Sequence, residues 1–172
     1  MNIIVAVDKN WGIGKKNKLL CYLPSDLKFF KEKTEGNIII YGRKTLLSFP
    51  KEKPLKNRIN IILTKNISNI ENFKSILNEN TFIANSITAA IDKSKKIANK
   101  ENKEIYICGG EKTYKEFLPF VSRLYITKID DDFNADKFLP NIDALNTFNL
   151  INESEIKNEN GINFKFTIYE RV

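Results

Sequence analysis

Histidine is absent from the 172 residues, and that absence removes several kinds of chemistry at once. Ser-His-Asp triads, histidine-ligated metals and imidazole acid–base catalysis are all excluded. Proton chemistry near neutral pH falls to a carboxylate, a cysteine, a tyrosine, a lysine or water. Cysteine is scarce too. Cys21 and Cys108 make no disulfide framework, and their spacing matches no metal motif. Apolar runs stay short: the longest, such as Ile38–Tyr41, are strand-sized, far from the ~20 residues of a membrane helix. Ile3 to Val7 follows the N-terminus too closely, with too little charge before it, to read as a signal peptide. A cytoplasmic protein without a membrane partner is expected.

What is present suffices for a core. Apolar residues make up 42% and aromatics 11%, which excludes a disordered chain or a disulfide-stapled miniprotein. The length suits one domain over residues 1–172, and no repeat, long linker or low-complexity run divides it. Lys and Arg number 28 against 21 Asp and Glu, a net charge of +7. That balance suits an anionic small molecule or nucleic acid equally. No recognition motif or aromatic-basic platform supports nucleic acid, so none is expected as a partner.

Buried-type strands are expected at Ile3–Val7, Ile38–Tyr41, Ile59–Leu63 (interrupted by Asn60), Phe82–Ala84, Ile105–Cys108 and Leu124–Ile129. Between them, helices are expected from Ser25 to Thr34, after Ser86, and from about Lys112 to Leu118. The first opens with Pro24 and a Ser25 cap; the second shows Ile87, Ala90, Ile91, Ser94, Ile97 and Ala98 on one face. Near the C-terminus, Asn160-Gly161 separates segments around Phe148–Ile156 and Ile162–Arg171, the signal of an antiparallel hairpin. Pro50–Pro54 reads as a surface loop. The fold class is α/β: a three-layer sandwich with a central, mainly parallel mixed sheet, an antiparallel C-terminal edge hairpin and about four flanking helices.

Three glycine-bearing turns follow strands. Trp11-Gly12-Ile13-Gly14 lets a loop approach a ligand or merely turn. It lacks the third glycine of a dinucleotide fingerprint. Tyr41-Gly42-Arg43-Lys44-Thr45 places two cations and a hydroxyl after a buried strand, suited to phosphate. Cys108-Gly109-Gly110-Glu111-Lys112 reads as a second phosphate contact or as a tight strand–helix connection. Two such sites suggest a ligand with more than one phosphate. Asp26 follows Leu23-Pro24-Ser25, with Phe29 and Phe30 close by. It reads as a first-turn helix acid or as a desolvated carboxylate able to hold an amidine-like group. Thr127, a hydroxyl in an apolar strand, is its candidate partner.

Taken in order, these pieces resemble bacterial-type dihydrofolate reductases over nearly the whole chain. The segments are Ile4 to Asp8 with Gly12 to Asn17; Leu23 to Thr34; Tyr41 to Ser48; Leu55 to Thr64; Gly109 to Tyr114; Leu124 to Thr127; and Ala135-Asp136 before Pro140. The resemblance implies NADPH-dependent reduction of dihydrofolate to tetrahydrofolate, inhibition by antifolates and a monomer. It implies that Asp26 is catalytic and holds the pterin edge, supported by Thr127. Ile4, Leu27, Phe30 and Phe49 would complete the substrate site, with Arg58 on the glutamate tail. NADPH would be held by Ala6, Ile13, Gly14, Asn17, Lys18, Leu19, Gly42, Arg43, Lys44, Thr45, Leu63, Thr64, Lys65, Cys108, Gly109, Gly110, Glu111, Lys112, Thr113 and Tyr114. It also implies a cis Gly109-Gly110 peptide and a closing loop from Asp8 to Leu23, in which Trp11 reports cofactor binding through contact or energy transfer. A related reductase of a riboflavin-pathway pyrimidine shares the fold, but Asp26 and Arg58 favour folate. Four residues at three places depart from the family pattern. Leu20-Cys21 replaces Pro-Trp, Glu111 stands where a small residue is common, and Ala135 replaces a frequent glycine.

Overall fold

A computed structural model describes residues 1–65, 75 and 77–172. The strands are β1 (Asn2–Val7), β2 (Gly12–Gly14), β3 (Ile38–Gly42), β4 (Ile59–Leu63), β5 (Thr81–Ala84), β6 (Ile105–Ile107), β7 (Arg123–Ile129), β8 (Lys137–Phe138), β9 (Phe148–Glu153), β10 (Lys157–Glu159) and β11 (Ile162–Arg171). The α-helices among the described residues are α1 (Pro24–Thr34), α2 (Arg43–Leu46), α3 (Ile87–Glu101) and α4 (Glu111–Phe117). The main sheet runs β10–β11–β7–β1–β6–β3–β4–β5, with β9 also on β11, while β2 and β8 form a separate pair. Pairing is parallel from β7 through β5. It is antiparallel where β11 meets β7, β9 and β10.

Alternation along the strands builds two cores. Side chains of a strand point to opposite faces in turn. Ile38 and Ile40 of β3 therefore join Ile3, Ile61 and Ile107 on one face, where α3 adds Ala90 and α4 adds Phe117. Ile39 and Tyr41 join Ile4, Ile62 and Tyr106 on the other, against Phe29 and Phe30 of α1 and Leu46 of α2. The result is the expected three-layer α/β sandwich. No helix among the described residues is long and apolar enough to cross a membrane.

Several boundaries differ from the sequence reading, each for a local reason. The first helix begins at Pro24, and its cap position is Leu23, which offers no side-chain bond. Ser25 is thus inside the first turn rather than capping it, and its N–H is taken by Glu159, 134 residues away. The fourth helix ends at Phe117, with Pro119 in a following 3-10 turn. Pro50–Glu52 also forms a 3-10 turn. The second C-terminal segment, β11, lies between β7 and the outer strands β9 and β10. Asn160 and Gly161 turn the β10–β11 hairpin with φ of +55° and +78°, the positive values a two-residue loop needs.

The polar break in β4 positions part of the site. Asn60, buried in an otherwise apolar strand, accepts from Tyr41 Oη at 2.9 Å and from the Leu55 amide at 3.1 Å. Its Nδ2 donates to the Leu55 and Arg58 carbonyls at 2.9 and 3.1 Å. A buried amide satisfied on both ends fixes the chain that satisfies it. Here it holds the segment carrying Leu55 and Arg58 against the sheet.

Candidate active site

The chain leaves β1 toward β3 on one side and returns to β7 on the other, so the topology changes direction beside β1. In open α/β sheets a crevice forms at such a point, outside the carboxyl ends of the strands. A cleft of about 1570 Å³ lies there, with Ala6, Gly42, Leu63, Thr64 and Cys108 contributed by the ends of β1, β3, β4 and β6. Every substrate and cofactor residue expected from the sequence lines it except Thr127. Thr127 sits behind Asp26 and touches it directly.

At one end of the cleft, Asp26 occupies the first turn of α1. Thr127 Oγ1 donates to its Oδ1 at 2.6 Å. Burial raises the Asp26 pKa above the usual carboxylate value; the Thr127 bond pulls it down, and the negative Glu159 pushes it up. Phe30 follows one turn on, and the Arg58 guanidinium lies 5.8 Å from its ring centre. Arg58 is anchored by Nε donating to Thr34 Oγ1 at 2.8 Å and Nη1 donating to the Lys56 carbonyl at 2.7 Å. A guanidinium held by two of its nitrogens is preorganised to receive a carboxylate.

The other end is built from strand-to-helix turns. The Gly109-Gly110 peptide is cis, as the resemblance implies, and Gly109 has φ +122°. A Cβ on Gly109 or Gly110 would stand 3.3 or 3.4 Å from Thr45 Oγ1, and one on Gly42 would stand 3.1 Å from Thr113 Oγ1. The bare backbone therefore forms a cradle that side chains would fill. The Gly42 amide donates to the Gly109 carbonyl at 2.8 Å, joining the two turns. Tyr114 Oη donates to the Ile4 carbonyl at 3.0 Å, tying α4 to β1 between the two halves of the cleft. Arg43, Lys44, Lys65 and Lys112 lie along this wall, so the donor set fits a polyphosphate ligand.

Sequence reasoning missed Asn85, Ser86, Ile87 and Thr88, which also line this wall at the start of α3. Their signal was visible: Ser86 accepts from the Ala89 amide at 3.1 Å as the expected cap, and a capped helix start after a strand points its amides at the crevice.

Within the segment from Asp8 to Leu23, Ile13, Gly14 and residues 16–23 line the cleft. Asp8 is buried and accepts from the amides of Asn10 and Gly12 at 2.9 and 2.8 Å, shaping the turn. Asp136 Oδ2 accepts from the Lys16 amide at 3.0 Å, and the Asp136 amide donates to the Gly14 carbonyl at 3.1 Å. The Lys16 bond holds the Asp136 carboxyl below its usual pKa. Trp11 does not line the cleft. It packs against the first core, with the Lys128 ammonium 5.1 Å from its ring centre. Of the two routes by which Trp11 is expected to report a cofactor, its place outside the cleft lining favours energy transfer over contact. Cys21 does line the cleft, and burial, together with nearby Asp26 and Asp131, pushes its thiol pKa up to about 11. It is a protonated thiol rather than a nucleophile. Glu111 is engaged elsewhere: its Oε1 accepts from the Phe138 amide at 3.1 Å and from Lys115 Nζ at 3.3 Å.

Comparison with known proteins agrees with this geometry. The family model described as dihydrofolate reductase matches residues 1–171. The chain is 40% identical to the dihydrofolate reductase of Staphylococcus haemolyticus, covering 100% of this chain and 96% of that one. It is 39% identical to the enzyme of that name from Buchnera aphidicola, covering 99% of each. Similarity extends to the dihydrofolate reductase of Sus scrofa, 36% identical over 99% of this chain and 97% of the relative.

Proposed function

The chain belongs to the dihydrofolate reductase family, and from that premise we propose how its own residues divide the work. It is an NADPH-dependent oxidoreductase that reduces dihydrofolate to tetrahydrofolate. The nicotinamide, when bound, supplies the hydride. The protein supplies binding, alignment and control of a proton.

In this reading the carboxylate of Asp26 receives the amide and amino edge of the pterin, held in place by Thr127. Ile4, Leu27, Phe30 and Phe49 wall the ring, and Arg58 receives the carboxylate of the glutamate tail. Asp26 is ionised when it binds that edge, and its negative charge favours protonation of the reacting ring nitrogen, the proton arriving through water. The cradle of Gly42, Gly109 and Gly110 with Thr45 and Thr113 takes the cofactor's phosphates. Arg43, Lys44, Lys65 and Lys112 provide cations for its phosphorylated adenosine end. The loop carrying Ile13 to Leu19 covers the nicotinamide, with Asp136 holding it. The protein acts as a cytoplasmic monomer of one domain and binds antifolates in the pterin site.

The observation that carries this reading is Asp26 lining the cleft, bonded from behind by Thr127, with the anchored Arg58 lining the same cleft. Loss of NADPH absorbance, measured with and without dihydrofolate, tests it in wild type, D26N and R58Q. Turnover should require dihydrofolate. R58Q should raise KM about tenfold or more through loss of a charge-assisted bond, and D26N should lower kcat. Unchanged KM in R58Q would move the tail elsewhere.

A further inference from the structure

Glu159 ends β10 at the tip of the C-terminal hairpin, far from α1 in sequence and outside the cleft lining. Its carboxylate nevertheless reaches the first turn of α1. Oε2 accepts from the Ser25 amide at 3.0 Å, and Oε1 accepts from Ser25 Oγ at 3.3 Å. Helix starts leave their first amides without intrahelical partners, and a side chain of the cap residue ordinarily takes one. Here the cap residue is Leu23, which can take none. The hairpin performs the capping instead. Ser25 is the immediate neighbour of Asp26, so the same carboxylate that closes the helix start stands beside the acid.

We propose that Glu159 is a positioning residue for the reduction: it fixes the first turn of α1, and with it Asp26, and it adds a second negative charge beside the protonation site. The inference rests on the reading of Asp26 given above. Two features of the surroundings give that charge its weight. Among the described residues, the polar groups of other elements that bear on Asp26 are the Thr127 hydroxyl of β7, the Cys21 thiol of the loop, the Tyr114 phenol of α4 and Glu159. Burial raises the pKa of both the thiol and the phenol, which keeps them neutral at physiological pH. Asp131 bears on Cys21 rather than on Asp26. On α1 itself, Lys28 is exposed and lies 3.8 Å from Glu32, turned along the helix. Among the described residues, Glu159 is thus the carboxylate side chain that bears on Asp26, and it is half-buried, so water screens it incompletely.

A negative neighbour raises the pKa of any group it faces, whether Asp26 itself or the ring nitrogen beside it. The sign is the same for both. Removing the charge should therefore move the protonation-dependent rise in hydride transfer to lower pH.

The test is single-turnover hydride transfer against pH, at low and high salt, for wild type, E159Q, E159A and D26N. E159Q keeps an oxygen that accepts from Ser25 and loses only the charge. Its profile should shift down by about 0.3–0.5 pH unit at low salt, a rate about two- to threefold lower at neutral pH, and the shift should shrink at high salt. E159A loses the cap as well. It should add a higher KM for dihydrofolate while NADPH binds as in wild type. A wild-type profile in E159Q at low salt, with D26N impaired, overturns this inference alone. Near-normal turnover in D26N overturns the reading of Asp26 and this inference together. Should E159A fail to fold, the E159Q profile decides.

Discussion

Thr127 Oγ1 in β7 donates to Asp26 Oδ1 in α1 across 2.6 Å, and the bond joins elements 101 residues apart. Strand and helix are thereby locked at the acid. The bond also lowers the Asp26 pKa against a larger upward push from burial. T127V keeps the shape and removes the donor. Hydrogen bonds to charged groups are worth about 1.5–3 kcal/mol, so kcat/KM for dihydrofolate should fall roughly ten- to a hundredfold at neutral pH. T127S should recover most of it. NADPH affinity, read by direct titration, should not change.

The same burial predicts a stability effect of opposite sign to the activity effect. The Asp26 pKa is raised in the folded protein above its ordinary value of 3.8. A carboxyl with a raised folded pKa favours folding below its unfolded pKa, and that contribution disappears as pH rises through the folded value. At neutral pH the ionised Asp26 is therefore a cost. D26N, which keeps an acceptor for Thr127, should melt at or above the wild-type temperature at pH 7. The advantage should vanish below about pH 4, where both side chains are neutral. A D26N protein markedly less stable than wild type at pH 7 would contradict this.

Two glycines of the covering loop should respond differently to alanine. A Cβ on Gly12 would lie 2.4 Å from Ala135 Cβ and 2.7 Å from Asp8 Oδ2, in a packed corner. G12A should cost about 1–3 kcal/mol by overpacking, read as a lower Tm. A Cβ on Gly14 meets only the Lys18 carbonyl, at 3.0 Å. That contact is tight but single, so G14A should lower Tm less than G12A and slow turnover more than it unfolds the protein, because this loop lines the site.

Cofactor choice should depend on exposed cations at the far end of the cleft. Lys65 follows β4, and Lys112, 3.9 Å from Glu116, lies in the first turn of α4. Replacing both with glutamine should weaken NADPH by about tenfold or more and NADH much less, since only NADPH carries the additional phosphate. Equal losses for the two cofactors, measured by fluorescence titration, would remove these lysines from phosphate recognition.

Much of the fold was legible because β3 and its neighbours are continuous apolar runs, and such runs read as buried strands. The cleft was legible for a related reason. Glycines at the ends of β3 and β6 mark where backbone must face a ligand, and both turns line it. The remainder depended on contacts distant in sequence. Ser25 has the chemistry of a cap, and no local pattern tells that Glu159 takes that role from another element. Glu111 looked like a carboxylate among phosphate contacts. Its partners are the Phe138 amide, 27 residues later, and Lys115, one turn along its own helix. The short strand β8 that presents Phe138 has two exposed residues and no apolar pattern to announce it.

The central claim is that the charge of Asp26, rather than its shape, drives the reaction. Hydride transfer in D26N as a function of pH measures this directly. The rate at neutral pH should fall on the order of a hundredfold or more. It should recover in part in acid, where more dihydrofolate is already protonated, while NADPH affinity stays at the wild-type value. Near-normal transfer at neutral pH, or an equal loss at every pH caused by failure to bind NADPH, would contradict it.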